Sequence, residues 1–591
     1  MVSQAGLKTY SGRVLVLGSD TRSFLAVVRS LGRAGLEVHV AWCPLQSASL
    51  RSRYIAAIHH IPYYRADDGT WVDSFNELMR QYKFDLVLPC EDASLLPLQL
   101  WRQQLEGAQC IYLLGDDAYQ ITSNKERTYA LAEELAIPLP RQILVHTEEE
   151  LRATASEFGL PIFVKPLRSA QSDDPQVRRP VVKVATAEDI QSISKTVLAS
   201  GAALVQQYFA GVGVGVETLC RNGEVFVAFQ HERVHEPLSG GGSSYRKSVQ
   251  LNPDLLEATR RLMRAMDYTG VCMVEFRCAP DSRRWVLLEI NGRFWGSLPL
   301  AIAAGVDFPR YLYEMLRYGK EQFDVTYRDG IYCRNWFSDL AFLRSVLRVR
   351  KGISSRMVFL LRVLTAGVWN MVRLREHSDT LTMDDPDPAL DEMTTLAMRG
   401  VVAILSHFRP ARWYMRRRAV QGVRNSTSVL FVCKGNICRS PFAEHYLKKL
   451  LPDLNVVSAG LLPSIGRKPP TAAIEAAASR NVDLSKHRSR VLSEEDVRSS
   501  DVVLVFEIEQ FRAVKRLAQR YLKKAPKVYF LGALDHENPL EIADPFGRDI
   551  QVFDNAYDRI ARVLDHAAGF VIGIGGNGHY ARSDSQVLAC K

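Results

Sequence analysis

The sequence predicts a multidomain α/β protein: a small doubly wound β-α-β domain, an α+β region, a helical connector, and a second domain built on a doubly wound parallel sheet. Three observations carry this. An apolar strand over residues 13–18, a helical stretch over 24–34 and a second strand over 37–42 open the chain as a β-α-β unit. Apolar strands over 161–166, 271–276 and 285–291 each carry a charged residue inside an otherwise buried run, where charges are uncommon. Near the C-terminal end, a β-branched strand over 428–432 runs into a loop bearing Cys433 and Arg439, and Ser440-Pro441 supplies helix-start chemistry.

A chain of 591 residues is too long for one core, so three or four domains are expected. Hydrophobic content of 47% with 24% charged residues is that of a soluble globular protein. The ten cysteines are scattered without framework spacing, and the first residues lack a basic start followed by an apolar core. A cytoplasmic setting with reduced thiols is therefore expected. The net charge of +10 points to an anionic partner, whose site depends on where the charge lies. No internal repeat is visible.

In chain order, a third strand over 84–89 precedes Cys90-Glu91-Asp92 and completes the first doubly wound domain, 1–120. Gly18 fits a nucleotide-binding turn or a simple tight βα turn equally well. Ser123-Asn124-Lys125 begins a helix, and the 161–166 strand carries Lys165. The strand over 271–276 carries Glu275. The strand over 285–291 carries Glu289, with Asn291 two residues on and so on the same face. Three hard oxygen ligands beside a nucleotide triphosphate suit Mg²⁺.

This ordered set resembles the ATP-grasp superfamily, particularly its carboxylate–amine ligases, over residues 121–324, with 1–120 as the pre-ATP-grasp domain. The resemblance implies that Lys125 and Lys165 contact ATP phosphates, that Glu275, Glu289 and Asn291 hold Mg²⁺, and that Arg293 stabilises an acyl-phosphate transition state. At the adenine hinge, where the superfamily usually has Glu, Gln206, Gln207 and Phe209 stand as the nucleotide-side contacts. Gly213, Gly215 and the run Gly240-Gly241-Gly242 read as mobile loops over the phosphates or as plain connections. Arg233, His235 and Arg246 are candidates for gripping a substrate carboxylate or acyl phosphate.

The connector, 325–425, resembles neither enzyme. Apolar helical segments alternate there with Arg clusters and tryptophans; the run around Met357 is interrupted by Arg362 and too short to span a bilayer. Peripheral contact with an anionic membrane and packing on the ligase with a solvated basic face are the two readings. No nucleic-acid motif interleaves the arginines, so no nucleic-acid partner is expected.

A bare Cys-x5-Arg spacing is weak in a chain with ten cysteines, and its context strengthens it. Loop N–H groups and a helix N-terminus favour an anion, which serves both a thiolate at Cys433 and a bound phosphoryl group. The run from Val432 to Pro441 resembles the low-molecular-weight protein tyrosine phosphatase family, over 426–566. The resemblance implies that Cys433 attacks phosphorus, Arg439 grips the equatorial oxygens, Ser440 stabilises the thiolate and Asn436 holds a strained turn. Asp544 of Asp544-Pro545 would protonate the leaving group, while Ser458 and His487 support the loop. Phe546 replaces the family's common Tyr. Arsenate reductases of the same fold need further redox cysteines downstream, and none lies between Cys438 and Cys590. Cys438 is placed to form a protective disulfide with Cys433. The tail, 567–591, reads as flexible.

The sequence thus points to a bifunctional enzyme using ATP and Mg²⁺. Its partners would be a small-molecule carboxylate and amine and a phosphotyrosine protein or phosphate ester, in surface polysaccharide or lipid-linked precursor metabolism. The second reading makes the ATP-grasp half a non-catalytic ATP sensor that regulates the phosphatase, motivated by Gln206-Gln207.

Overall fold

The computed structural model describes residues 10–572 apart from 67, 170–174, 176–178, 180, 199–200, 238–240, 281–283, 324–325, 522–524 and 536–538. Gly240, Cys590 and all of the tail beyond 572 lie outside the described residues. The chain divides into two compact units, Met1–Trp42 with Ala48–Ala389 and Cys43–Ser47 with Leu390–Lys591.

The first unit opens with four parallel strands in the order Ile55–His59, Glu37–Ala41, Arg13–Leu17, Leu86–Pro89. Strand order reverses between the last two, so the loops that follow them flank a crevice. Gly18 sits at φ 152°, and a Cβ there would lie 3.2 Å from Cys90 and 3.3 Å from Phe24. Its role is steric, the tight-turn reading of the sequence. A small antiparallel sheet follows in the order Gln142–Val145, Ala203–Gln207, Ile162–Pro166, Val182–Val184.

A seven-stranded sheet completes the unit, in the order Trp285–Asn291, Gly270–Cys278, Val212–Arg221, Glu224–His235, Tyr245–Val249, Tyr332–Arg334, Glu376–Ser378. Its last two strands come from the segment expected to be a separate connector from 325 onward. Tyr245, Arg246 and Lys247 pair with Arg334, Cys333 and Tyr332, so the sheet of the first unit continues well beyond residue 324. Short strands with little apolar alternation are hard to read in a sequence dominated by helical runs. Gly213 and Gly215 correct another expectation. They lie inside the strand Val212–Arg221, where a Cβ would come within 2.6 Å of Arg233 Cδ and 2.3 Å of His231 Cε1. They make room for side chains of the neighbouring strand rather than covering phosphates.

Ion pairs tie the late segment to the early one. Arg29 Nε donates to Asp385 at 2.8 Å with both side chains buried, Arg33 meets Asp384 at 2.7 Å, and Arg246 pairs with Asp379. The rest of the expected connector is helical: Trp336–Val349, Ile353–Val372, Asp387–His407 and Arg409–Arg424. Among the described residues no helix is long and apolar enough to cross a membrane.

The second unit carries a parallel sheet in the order Asn455–Gly460, Ser428–Cys433, Val502–Val505, Lys527–Phe530. Every residue of Ser428–Cys433 is buried, as its unbroken apolar run predicts for a central parallel strand. The helices Arg439–Leu450 and Ile550–Ile572 pack together through Phe442 and Tyr557, whose rings stack at 4.0 Å. The order reverses between Ser428–Cys433 and Val502–Val505, which puts Cys433 and Glu507 at the lip of the same crevice.

Two candidate phosphorus-handling sites

In the second unit, the loop after the central strand wraps the Cys433 sulfur. Cys433 Sγ lies 3.0 Å from the Ser440 hydroxyl and accepts the Asn436 backbone N–H at 3.2 Å. The left-handed turn at Asn436, φ 52°, aims that N–H inward. Asn436 is fully buried and holds its strain through four contacts. Its side-chain N–H₂ reaches Ser440 and Ser458 at 3.0 and 2.8 Å, its Oδ1 accepts from Arg490 N, and its carbonyl accepts from His487 Nε2 at 2.8 Å. Burial pushes the His487 pKa down, with the Asn436 contact opposing, so the neutral donor tautomer is favoured. Gly460 allows the loop to approach: a Cβ there would stand 2.9 Å from Asn436 N.

Arg439 is 1% exposed. Its Nη1 donates to Glu507 and to the Ile542 carbonyl, both at 2.8 Å, and its Nη2 lies 2.9 Å from Asp544 Oδ2. Thus Cys433, Asn436, Ser440, Ser458 and His487 form one hydrogen-bonded cluster, with the ion-paired Arg439 and Asp544 contributed by the same loop and by a distant one. Phe546 is partly exposed beside it, with the Arg467 guanidinium 5.0 Å from its ring centre. Sequence reasoning missed Glu507. It directly follows a parallel strand at the switch point, which is the signal that could have found it. Cys438 is buried, and burial with nearby negative charge drives its thiol well above the ordinary range.

In the first unit, a cleft of about 720 Å³ is lined by Lys165, Gln206, Gln207, Phe209, Glu275, Glu289, Asn291 and Arg293 among others. Lys125 lines a smaller adjoining hollow with Glu289 and Asn291. Lys125 donates to Ser169 at 3.0 Å and Lys165 to the Tyr129 hydroxyl at 3.3 Å. Neither makes an ion pair among the described residues. Burial pushes the Lys165 ammonium down to about 8, with Glu289 and Glu275 opposing. Glu289 and Asn291 are in contact, Asn291 Nδ2 donating at 3.0 Å. Glu275 stands opposite Glu289 in the strand pairing. Burial raises the Glu275 pKa against the pull of Arg233. Burial also acts on Glu289, yet Lys125, Asn291 and Lys165 bring it below the usual range. No group of three or more His, Cys, Asp or Glu side chains gathers as a metal site among the described residues.

Several contacts differ from expectation. Arg233 pairs with Glu275, so a predicted substrate-binding residue neutralises a predicted metal ligand. His235 meets Asp339 at 2.7 Å, and Arg246 is buried on Asp379; both act inside the fold rather than on a substrate. Arg293 forks onto Asp92 at 2.9 and 3.1 Å. The hinge strand ends at Gln207, leaving Phe209 beyond it, and Gln207 Nε2 donates to the Phe158 carbonyl at 3.2 Å. These partners lie far away in sequence, which is why local pattern could not assign them.

The family model described as low molecular weight phosphotyrosine protein phosphatase matches residues 428–568. A probable low molecular weight protein-tyrosine-phosphatase, EpsP, of Ralstonia nicotianae is 33% identical over 138 residues, which cover 23% of this chain and 91% of that protein. The chain belongs to the low molecular weight phosphotyrosine phosphatase family. A second member, the protein-tyrosine-phosphatase Wzb of Escherichia coli K12, is 36% identical over 135 residues, 23% of this chain and 88% of Wzb. A family model described as ATP-grasp in the biosynthetic pathway with Ter operon matches residues 200–336. The first unit is similar to the L-amino acid ligase of Bacillus licheniformis, at 15% identity and TM-score 0.42, over 54% of this chain and 78% of that one. A segment matching an ATP-grasp model and a domain of the phosphatase family are both present, and the chain is an enzyme.

Proposed function

We propose that the chain is bifunctional: a cysteine-dependent phosphatase of phosphotyrosine-type esters joined to an ATP- and Mg²⁺-dependent carboxylate–amine ligase. The observation that carries the phosphatase reading is the Cys433 sulfur held between the Ser440 hydroxyl and the Asn436 N–H, within one loop of the buried Arg439. Those donors stabilise a thiolate without a general base. The Cys433 thiolate attacks phosphorus as the P–O bond to the leaving group breaks; Arg439 turns its fork from Asp544 to the equatorial oxygens; Asp544, released from the ion pair and protonated from solvent, gives that proton to the leaving oxygen, then takes one from the water that displaces Cys433 from phosphorus. Asn436 and His487 keep the loop in register.

For the ligase, two buried lysines that make no direct ion pair among the described residues suit a polyphosphate, and two carboxylates with one amide suit Mg²⁺, which usually completes its shell with substrate phosphates and water. When bound, the metal would neutralise phosphate charge. Lys125 and Lys165 would hold the phosphates, Glu275, Glu289 and Asn291 the metal, with Gln206, Gln207 and Phe209 beside the base. Activation of a carboxylate as acyl phosphate, with Arg293 leaving Asp92 for the developing charge, accounts for the arrangement. Joining both activities in one chain fits decoration and dephosphorylation within one surface-glycan or lipid-precursor assembly.

Cys433→Ser should abolish p-nitrophenyl phosphate hydrolysis, and Asp544→Ala should slow it by about 10²–10⁴-fold. An unaltered Asp544→Ala rate would assign the acid elsewhere. ADP release across a panel of amino acids and polyamines tests the ligase; ATP binding without acceptor-dependent ADP formation would favour an ATP sensor instead.

A further inference from the structure

The helices Trp336–Val349 and Ile353–Val372 turn an apolar surface to solvent. In Ile353–Val372 no residue is buried, although its apolar content is high. Its Asn370 side chain donates to the Tyr245 hydroxyl at 3.0 Å, and Ser355, Phe359, Val363 and Gly367, on the Asn370 side of the helix, are half-buried. The opposite side carries Ile353, Met357, Leu361, Leu364, Val368 and Val372, spaced at three and four, and these are 59–80% exposed. A water-facing stripe of this size on an otherwise well-packed unit marks an interaction surface.

Charge identifies what the surface fits. Between Asp339 and Glu376 stand eight Lys or Arg and no Asp or Glu. Arg344 and Arg348 are exposed on the first helix, and Arg350, Lys351, Arg356 and Arg362 are exposed at the turn and along the second. Trp369 is 56% exposed with the Arg373 guanidinium 4.2 Å from its ring centre. A second copy of the chain would bring this acid-free surface against itself, and the like charges oppose that contact. A protein partner would have to be strongly acidic and apolar at once. Anionic lipid combines both properties over an unlimited area.

We propose that the Trp336–Val372 hairpin is a docking face for an anionic membrane surface, with the apolar stripe entering the acyl boundary and the arginines meeting headgroup phosphates. Neither helix spans the bilayer. The contact lies in the plane of the interface and holds the ligase-type domain beside lipid-borne or headgroup-adjacent acceptors.

The test is flotation of the full-length protein with vesicles of phosphatidylcholine alone and of phosphatidylcholine with about one third phosphatidylglycerol. Binding is expected only to the second and should weaken with salt. Replacing three exposed residues, Leu361→Gln, Leu364→Gln and Val368→Gln, should lower the partition by about tenfold or more. Arg348→Glu with Arg362→Glu should do the same. Because these side chains are exposed, p-nitrophenyl phosphate hydrolysis and the melting profile should be unchanged in both variants. Equal binding to neutral vesicles, retention of binding by both variants, a dimer in sedimentation that the Gln variant dissolves, or capture of RNA in preference to vesicles would each overturn the proposal.

Discussion

At Lys165 the buried ammonium and the phosphates it is proposed to meet make opposite demands. Desolvation favours the neutral amine, and the side chain's one described hydrogen-bond partner is the Tyr129 hydroxyl. A phosphate contact requires the ammonium. Below its pKa of about 8 the site is already charged and ATP affinity should be flat with pH. Above it each binding event must take up a proton, so affinity should fall by up to about tenfold per pH unit. Titration calorimetry in buffers of different ionisation heat reads that uptake directly, and Lys165→Gln should remove it. Proton-independent binding across this range would take Lys165 out of nucleotide contact. Residue identities of this kind were legible in the sequence because a lysine in an apolar strand is conspicuous. Their partners were not. Asp92 for Arg293, Glu275 for Arg233 and Glu507 for Arg439 are all matched by folding, across 201, 42 and 68 positions.

At the scale of elements, long periodic runs declared themselves and short strands did not. The strands Arg13–Leu17, Trp285–Asn291 and Ser428–Cys433 fall within about one residue of the spans expected from their apolar runs. Tyr332–Arg334 and Glu376–Ser378 were invisible: three residues carry too little pattern, and only pairing with Tyr245–Val249 on one side and with Glu376–Ser378 on the other makes the first a strand. Their neighbourhood also holds carboxylates that the early helices need. Asp385 accepts from Arg29 at 2.8 Å, from the Ser52 hydroxyl at 2.7 Å and from Arg53 N at 2.9 Å. Removing that carboxylate leaves a buried guanidinium held by backbone carbonyls without its counter-charge, so Asp385→Ala should destabilise the first unit by about 3–5 kcal/mol, and urea denaturation will measure it. Loss of less than about 1 kcal/mol would mean the late segment is only loosely attached.

For the whole molecule, the division into two units, each with its own sheets and core, predicts two unfolding transitions. Vanadate should raise only the transition of the unit holding Cys433, and ATP with Mg²⁺ only the other. Calorimetry on the intact chain would show it; a single transition shifted by both ligands would mean the sites are energetically linked. The two-part plan could be read from the order of motifs along the chain. The path of the segment after 325 could not, because an Arg-rich amphipathic stretch looks the same whether its apolar side faces a core or faces out. Arg439 already rests on Glu507, the Ile542 carbonyl and Asp544. A guest must outcompete a carboxylate for that fork, so a singly charged, weakly basic oxyanion such as nitrate should bind far more weakly than a phosphate dianion. The Arg439–Asp544 contact would thereby set a threshold of charge that a bound anion has to exceed.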